Sequence, residues 1–220
     1  MEGFLPNSTS LKITNDPSTQ CWGLRKKRDW KIIYLVLNHQ VVSLDLLSSL
    51  DGLLWLQSGA KVGALFKQHQ TTVSRNQKKC AQVFGITLSK SKNKWKTQGD
   101  VTLLELEREV HQVARLQGKS RLRIEVNGWI DHPLFNPPPT GWIAGSANNL
   151  NDPHSLQCLK QHIIDACLCP LTDLPAESDD YVIIPLNITI EVGFMVLKQH
   201  ANHERILDLI NRLKQAQKRA

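Results

Sequence analysis

From Ser43 onward, apolar positions recur at helical spacing. Leu46, Leu47, Leu50, Leu53 and Leu54, with Gln57 closing the series, lie three and four residues apart, and Ser43 is placed to cap the start. After a break at Ser58-Gly59, a short helical piece from Lys61 to Gln68 turns Val62, Leu65 and Phe66 inward. A third helix is expected through "QTTVSRNQKKCAQVFG". Taking about 100° per residue, Gln77, Cys80, Ala81 and Phe84 fall within about 80° of Val73, so one face can pack while Thr71, Thr72, Arg75, Lys78 and Lys79 occupy the other. Period two follows. Ile86 and Leu88 alternate with polar residues, then come a Lys-rich turn around Asn93 and Trp95, the pattern of a small hairpin. Asp100 can cap a fourth helix, in which Leu103, Leu106, Val110 and Val113 are spaced three, four and three, the seam of a short paired coil. Packing of that seam onto its own domain is the alternative. Residues 1 to about 28, with little periodicity, read as a loose leader.

Charge changes this picture from a set of helices to a candidate surface. The chain has 220 residues and a net charge of +7, with no acid between Asp51 and Asp100, while Lys61, Lys67, Arg75, Lys78, Lys79, Lys90, Lys92, Lys94 and Lys96 fall there. From Asp131 to Glu191 the balance reverses, with Lys160 as the lone cation. A basic module implies a polyanion, which the acidic part would repel. The basic cluster Arg25-Lys26-Lys27-Arg28 reads as a solvated tail or an auxiliary phosphate contact. A membrane surface is a poor fit, because Cys80 and Ala81 are weak anchors opposite the cations. The longest apolar run, Ile32 to Leu37, is far short of the roughly 20 residues that span a bilayer, and no secretory leader pattern opens the chain, so a cytoplasmic location is expected.

Three helices, the second and third joined by a tight turn, with a cationic third helix facing outward, match the geometry of a helix-turn-helix; the following hairpin matches a wing. Arginine can read guanine bidentately, Gln and Asn can read adenine, Thr methyls can meet thymine methyls, and Ser or Lys can hold phosphate. A solvated basic amphipathic helix is the bland alternative. Here the two preceding helices and the acid-free neighbourhood weigh against it.

These residues resemble the LysR-type transcriptional regulators. Ser58-Gly59-Ala60-Lys61-Val62-Gly63 lies where that family has Ser-Phe-Thr-x-Ala-Ala, and Gln70, Val73, Ser74, Arg75 and Gly85 match its recognition helix position by position. Departures occur at Val62-Gly63, Thr71, Cys80-Ala81 and Ser89, and in the wing. The resemblance implies that Gln70, Thr71, Thr72, Ser74, Arg75 and Lys79 face double-stranded DNA; the cations Lys78, Lys92 and Lys94 are expected to add contacts, and the seam of Leu103, Leu106, Val110 and Val113 to pair two copies into a homodimer or homotetramer. "SRLRIEVNGW" resembles the first strand of the family's effector region. "SLQCLKQHIIDACLCPL" resembles a helix and strand in which Asp165 occupies the motif's aspartate, "YVIIPLNITIEVGFMVL" supplies strands, and "NHERILDLINRLKQ" resembles the terminal helix. About a hundred residues follow Gly118, roughly half of what a two-lobed sensor uses, so one reduced lobe is expected and binding of a small-molecule effector in an interlobe cleft is doubtful.

The expected fold is therefore α/β overall: an N-terminal extension (1–42), a winged helix-turn-helix (43–99), a dimerising linker helix (100–118) and a reduced, periplasmic-binding-protein-like α/β lobe (119–220). Other chemistry finds less support. Cys158 and His162 could share a helical face and Cys167 and Cys169 a strand face, but without paired Cys-x-x-Cys spacing buried thiols fit better than a metal site. Redox sensing is the remaining alternative for them. The Asp131-His132 pair could suggest acid-base catalysis, yet no nucleophile elbow, phosphate loop or His-Glu-x-x-His helix accompanies it, so neither an enzyme nor a cofactor is expected. "FNPPPTGW" fits a rigid connector better than a polyproline ligand. The functional alternative to a DNA-reading regulator is an interaction protein that pairs with a full-length regulator without reading DNA.

Overall fold

The computed structural model describes residues 42–92, 94–147, 153–170, 179–187 and 191–217. The extension 1–41, with Cys21 and the Arg25-Lys26-Lys27-Arg28 cluster, and Asn93 of the hairpin turn lie outside the described residues.

The chain begins with three helices, α1 (Leu44–Leu56), α2 (Gly59–Phe66) and α3 (Gln70–Val83), followed by an antiparallel hairpin of β1 (Thr87–Ser91) and β2 (Lys94–Gln98). The Ser43 side chain makes no cap; its carbonyl accepts from Leu46 and Leu47 while Asp45 supplies the acid of the first turn. Gln57 ends α1 in a left-handed conformation, and its side chain then links two elements: Nε2 donates to the Leu54 carbonyl at 2.5 Å and Oε1 accepts from the Trp95 amide of β2 at 2.5 Å. Ser58 caps α2 by accepting from the Lys61 amide. A Cβ at Gly63 would lie 2.6 Å from the Gln68 carbonyl, so the tight α2–α3 turn explains a glycine at this point.

Helix α4 (Thr102–Leu116) follows, with Asp100 accepting from the Thr102 amide at 2.9 Å and its hydroxyl at 2.6 Å. The rest is an α/β unit: β3 (Leu122–Glu125), β4 (Trp142–Gly145), α5 (His154–Lys160), β5 (Ala166–Pro170), β6 (Tyr181–Asn187), β7 (Glu191–Leu197) and α6 (Glu204–Gln217). One mixed five-stranded sheet runs β4-β3-β5-β7-β6, with β3 parallel to β4 and β5, and β7 antiparallel to both neighbours. "FNPPPTGW" is the connection that leads into β4.

Strand alternation explains how this sheet unites the chain. Ala166 and Leu168 of β5, with Val192, Phe194 and Val196 of β7, face Ile206, Leu209, Ile210 and Leu213 of α6. The other face carries Cys167, Cys169, Met195 and Leu197 in the same apolar cluster as Leu47, Leu50, Leu53 and Trp55 of α1 and Val73 and Cys80 of α3. Helices, sheet and α6 thus form three layers, and the helical unit shares its core with the sheet. On β3, Leu122 and Ile124 point toward α6 while Arg123 and Glu125 are buried and engaged by α1. Trp55 Nε1 donates to Glu125 Oε2 at 2.7 Å, and Arg123 lies 3.4 Å from Asp51 and 3.0 Å from the Ser48 hydroxyl. Gly145 permits this docking, since a Cβ there would lie 2.7 Å from the Trp55 ring.

Candidate nucleic-acid interface

Helix α3 divides cleanly. Val73, Gln77, Cys80 and Ala81 are buried, whereas Gln70, Thr71, Arg75, Lys78 and Lys79 are exposed and Thr72 and Ser74 half-buried. Cys80 and Ala81 are small enough to let α3 pack closely on α1, which accounts for their presence under the helix. Burial pushes the Cys80 thiol up to about 12, so it serves as an apolar side chain. At the amino end, His69 Nδ1 accepts from the Thr71 amide at 3.4 Å and lies 2.9 Å from the Thr71 hydroxyl. Arg75 leans back on the Thr71 carbonyl at 3.5 Å and is otherwise presented to solvent.

Side chains behind this surface fix its orientation. The Ser49 hydroxyl donates to Gln68 Oε1 at 2.8 Å and receives Asn76 Nδ2 at 3.4 Å, tying α1, the α2–α3 turn and α3 together. The hairpin is held by Gln57 and by Trp95, which packs against the core under Lys90, 6.0 Å from its ring. Lys92 is exposed at the hairpin tip, while Lys94 is half-buried and turned into a cavity facing α5. Of the predicted contacts, Gln70, Thr71, Thr72, Ser74, Arg75, Lys78 and Lys79 lie on α3, Lys92 lies at the hairpin tip, and Lys94 lies on β2 in the lining of the cavity toward α5.

Helix α4 has an inverted distribution. Its buried positions are Leu104, Leu106 and Leu116 but also Glu107, Arg108, His111, Gln112 and Arg115. Leu103 and Val113 are 49% and 45% exposed and Val110 is half-buried, all three outside both apolar clusters, whereas Leu106 is buried. The inward charges are paired: Arg108 Nε donates to Asp51 at 2.7 Å, and Arg115 donates twice to Asp165, at 2.8 and 3.0 Å. Asp165 also accepts from Gln112 and from the Arg123 amide. Burial, then the nearby Arg115, pulls the Arg123 guanidinium down to about 10. Sequence reasoning found Asp165 by its motif but missed these arginines, whose partners lie 50 or more positions away in sequence.

His162 sits beyond α5 in a left-handed conformation, away from Cys158, which instead contacts His154 at 3.6 Å. The expected shared helical face fails because α5 ends at Lys160. His162 Nδ1 donates to Gln112 Oε1 at 2.6 Å, with Glu109, His200, Arg108, Arg115 and Asp165 around it, and burial followed by His200 pulls it down to about 4. Because the folded value is depressed below the unfolded value near 6.5, its stabilising contribution is complete above about pH 6.5 and is lost as pH falls toward 4. Urea unfolding at pH 7, 5.5 and 4.5 should show stability falling by up to about 1.4 kcal/mol per pH unit from this group, and His162→Gln should flatten that dependence.

Cys158, Cys167 and Cys169 are buried; burial raises the Cys158 thiol, and a hydrogen bond with Cys169, followed by burial, raises that of Cys167. Among the described residues no group of three His, Cys, Asp or Glu side chains could hold a metal ion, and no helix is long and apolar enough to cross a membrane. Asp131 and His132 lie in the turn-rich connection after β3.

The chain matches no family model and no curated protein. Among solved structures it is similar to full-length OxyR from Pseudomonas aeruginosa, at 18% identity over 67% of this chain and 54% of that one, with a TM-score of 0.38. It is also similar to ArgP from Mycobacterium tuberculosis, at 16% identity over 66% and 57%, with a TM-score of 0.28. The full-length LTTR LysG from Corynebacterium glutamicum with bound effector Arg matches at 16% identity over 64% and 53%, again with a TM-score of 0.28. The chain spans about half the length of these proteins. Overlaps this loose carry no argument about activity, which rests on the residues themselves.

Proposed function

We propose that this chain is a sequence-specific, non-catalytic DNA-binding regulator. Helices α1 to α3 and the hairpin form a winged helix-turn-helix, α4 is the dimerising linker, and the α/β unit is a single reduced lobe. The observation that carries this reading is the division of α3. An acid-free outer face of amide, hydroxyl and cationic side chains stands on a buried strip anchored to α1. Gln70, Thr71, Thr72 and Arg75 read bases, while Ser74, Lys78, Lys79 and Lys92 hold phosphates. Lys94, set into the cavity beside α5, contributes less than the sequence alone suggests.

Phosphate contacts make binding salt dependent, with a log-log slope of about 0.9 per phosphate neutralised. Titrations of selected and scrambled duplexes test the division of labour. Arg75→Ala should cost about 1–3 kcal/mol on the selected duplex and little on the scrambled one, whereas Lys92→Ala should weaken both alike and lower the salt slope by about 1. Equal losses on both duplexes from both variants would sink the readout assignment.

A further inference from the structure

Where the hairpin meets α5, the two surfaces leave a cavity of about 290 Å³, near the lower end of the roughly 300–1,000 Å³ typical of ligand pockets. Strand β2 contributes Lys94, Trp95 and Lys96 to one wall; α5 and its exit contribute Gln157 and Gln161 to the other. The buried Leu54 and Ile163 add apolar surface to the lining. Among the described residues, no acidic one lines it. Lys94, Lys96, Gln157 and Gln161 bring donors suited to an anionic head, while Trp95, Leu54 and Ile163 bring apolar surface suited to an apolar body.

We infer that this cavity is a binding site for a small organic anion, a carboxylate carrying a compact aromatic or branched apolar group. The walls support a defined shape. His154 holds α5 to α1 through the Trp55 carbonyl at 3.0 Å, and Gln57 holds β2 to the end of α1. Both walls are thereby referred to the same helix. A molecule lodged between them touches the hairpin directly, at a place distinct from any cleft between two lobes.

Phenylacetate, its neutral isostere phenylacetamide, and acetate test the site on the full chain without DNA. The readout is the Trp95 indole N–H resonance, assigned with Trp95→Phe. Phenylacetate should shift that resonance saturably, and the two other probes should bind at least about ten times more weakly, since one lacks the charge and the other the apolar body. Gln157→Glu, at an exposed position of α5, should abolish phenylacetate binding while leaving the fold intact. Absence of a saturable shift, equal binding of the amide, or indifference to Gln157→Glu would overturn the proposal. Because no duplex is present, failure here leaves the reading of α3 untouched, and failure of that reading leaves this site standing.

Discussion

Replacing Asp51 with alanine should lower the unfolding free energy by about 3–5 kcal/mol, a large share of the roughly 5–15 kcal/mol typical of a folded domain. Asp51 is fully buried and faces two guanidiniums, Arg108 at 2.7 Å and Arg123 at 3.4 Å. Alanine would leave both cations desolvated, and Arg108 Nη2 already has no hydrogen-bond partner among the described residues. The same ion cluster joins three elements, α1, α4 and β3, so its loss should loosen the helices from the sheet. Urea denaturation measures the cost. Hydrogen exchange should show α1 to α3 losing protection before β7 does. The double variant Asp51→Ala, Arg108→Met should recover part of the loss, because one orphaned charge is removed with its partner; a double variant as unstable as the sum of the singles would deny the coupling.

The second large effect concerns assembly. Leu103 and Val113 stand half exposed on the outer side of α4, outside both cores, at positions that continue a three-four repeat with Leu106 and Val110. An apolar stripe of this kind on a helix that buries Glu107, Arg108, His111, Gln112 and Arg115 fits pairing with a second copy through a two-stranded seam. Leu103→Glu with Val113→Glu removes two apolar contacts from each copy and sets like charges across the seam. Each fully buried side chain of this size contributes about 1.5–3 kcal/mol, so the dimer dissociation constant should rise by about a thousandfold or more. Sedimentation equilibrium would register the change as a shift to monomer. Since neither residue supports a core, thermal stability measured at dilutions where the protein is already monomeric should be unaltered. A wild-type chain that is monomeric at all concentrations would refute the seam.

The helical periodicities are legible because they are local. Val73, Gln77, Cys80 and Ala81 lie on the buried side of α3 as the spacing predicts, and the alternation around Ile86 and Leu88 marks the hairpin. What escaped was carried by long-range electrostatics. Nothing in the local pattern marks Arg108 and Arg115, or Arg123 and Glu125 of β3, as buried, because a charge with no partner nearby in sequence ordinarily belongs in water. Here the partners are Asp51, 57 positions from Arg108, and Asp165, 50 from Arg115, and Arg123 and Glu125 are buried because α1 covers their face of β3. The same contact explains why Trp55, unremarkable in the sequence, becomes a fully buried clasp on Glu125. Ser43 failed as a side-chain cap, and His162 left its helix, for local reasons at chain ends that hydrophobic spacing does not encode.

The proposed DNA readout is tested most directly by incubating the purified chain with a randomised duplex pool near physiological salt and sequencing what it retains. Enrichment of two related half-sites, spaced by about one turn of the duplex or a multiple of it, is the predicted result. Salt-sensitive retention with no enriched sequence would contradict it, leaving α3 a surface that holds phosphate without reading bases.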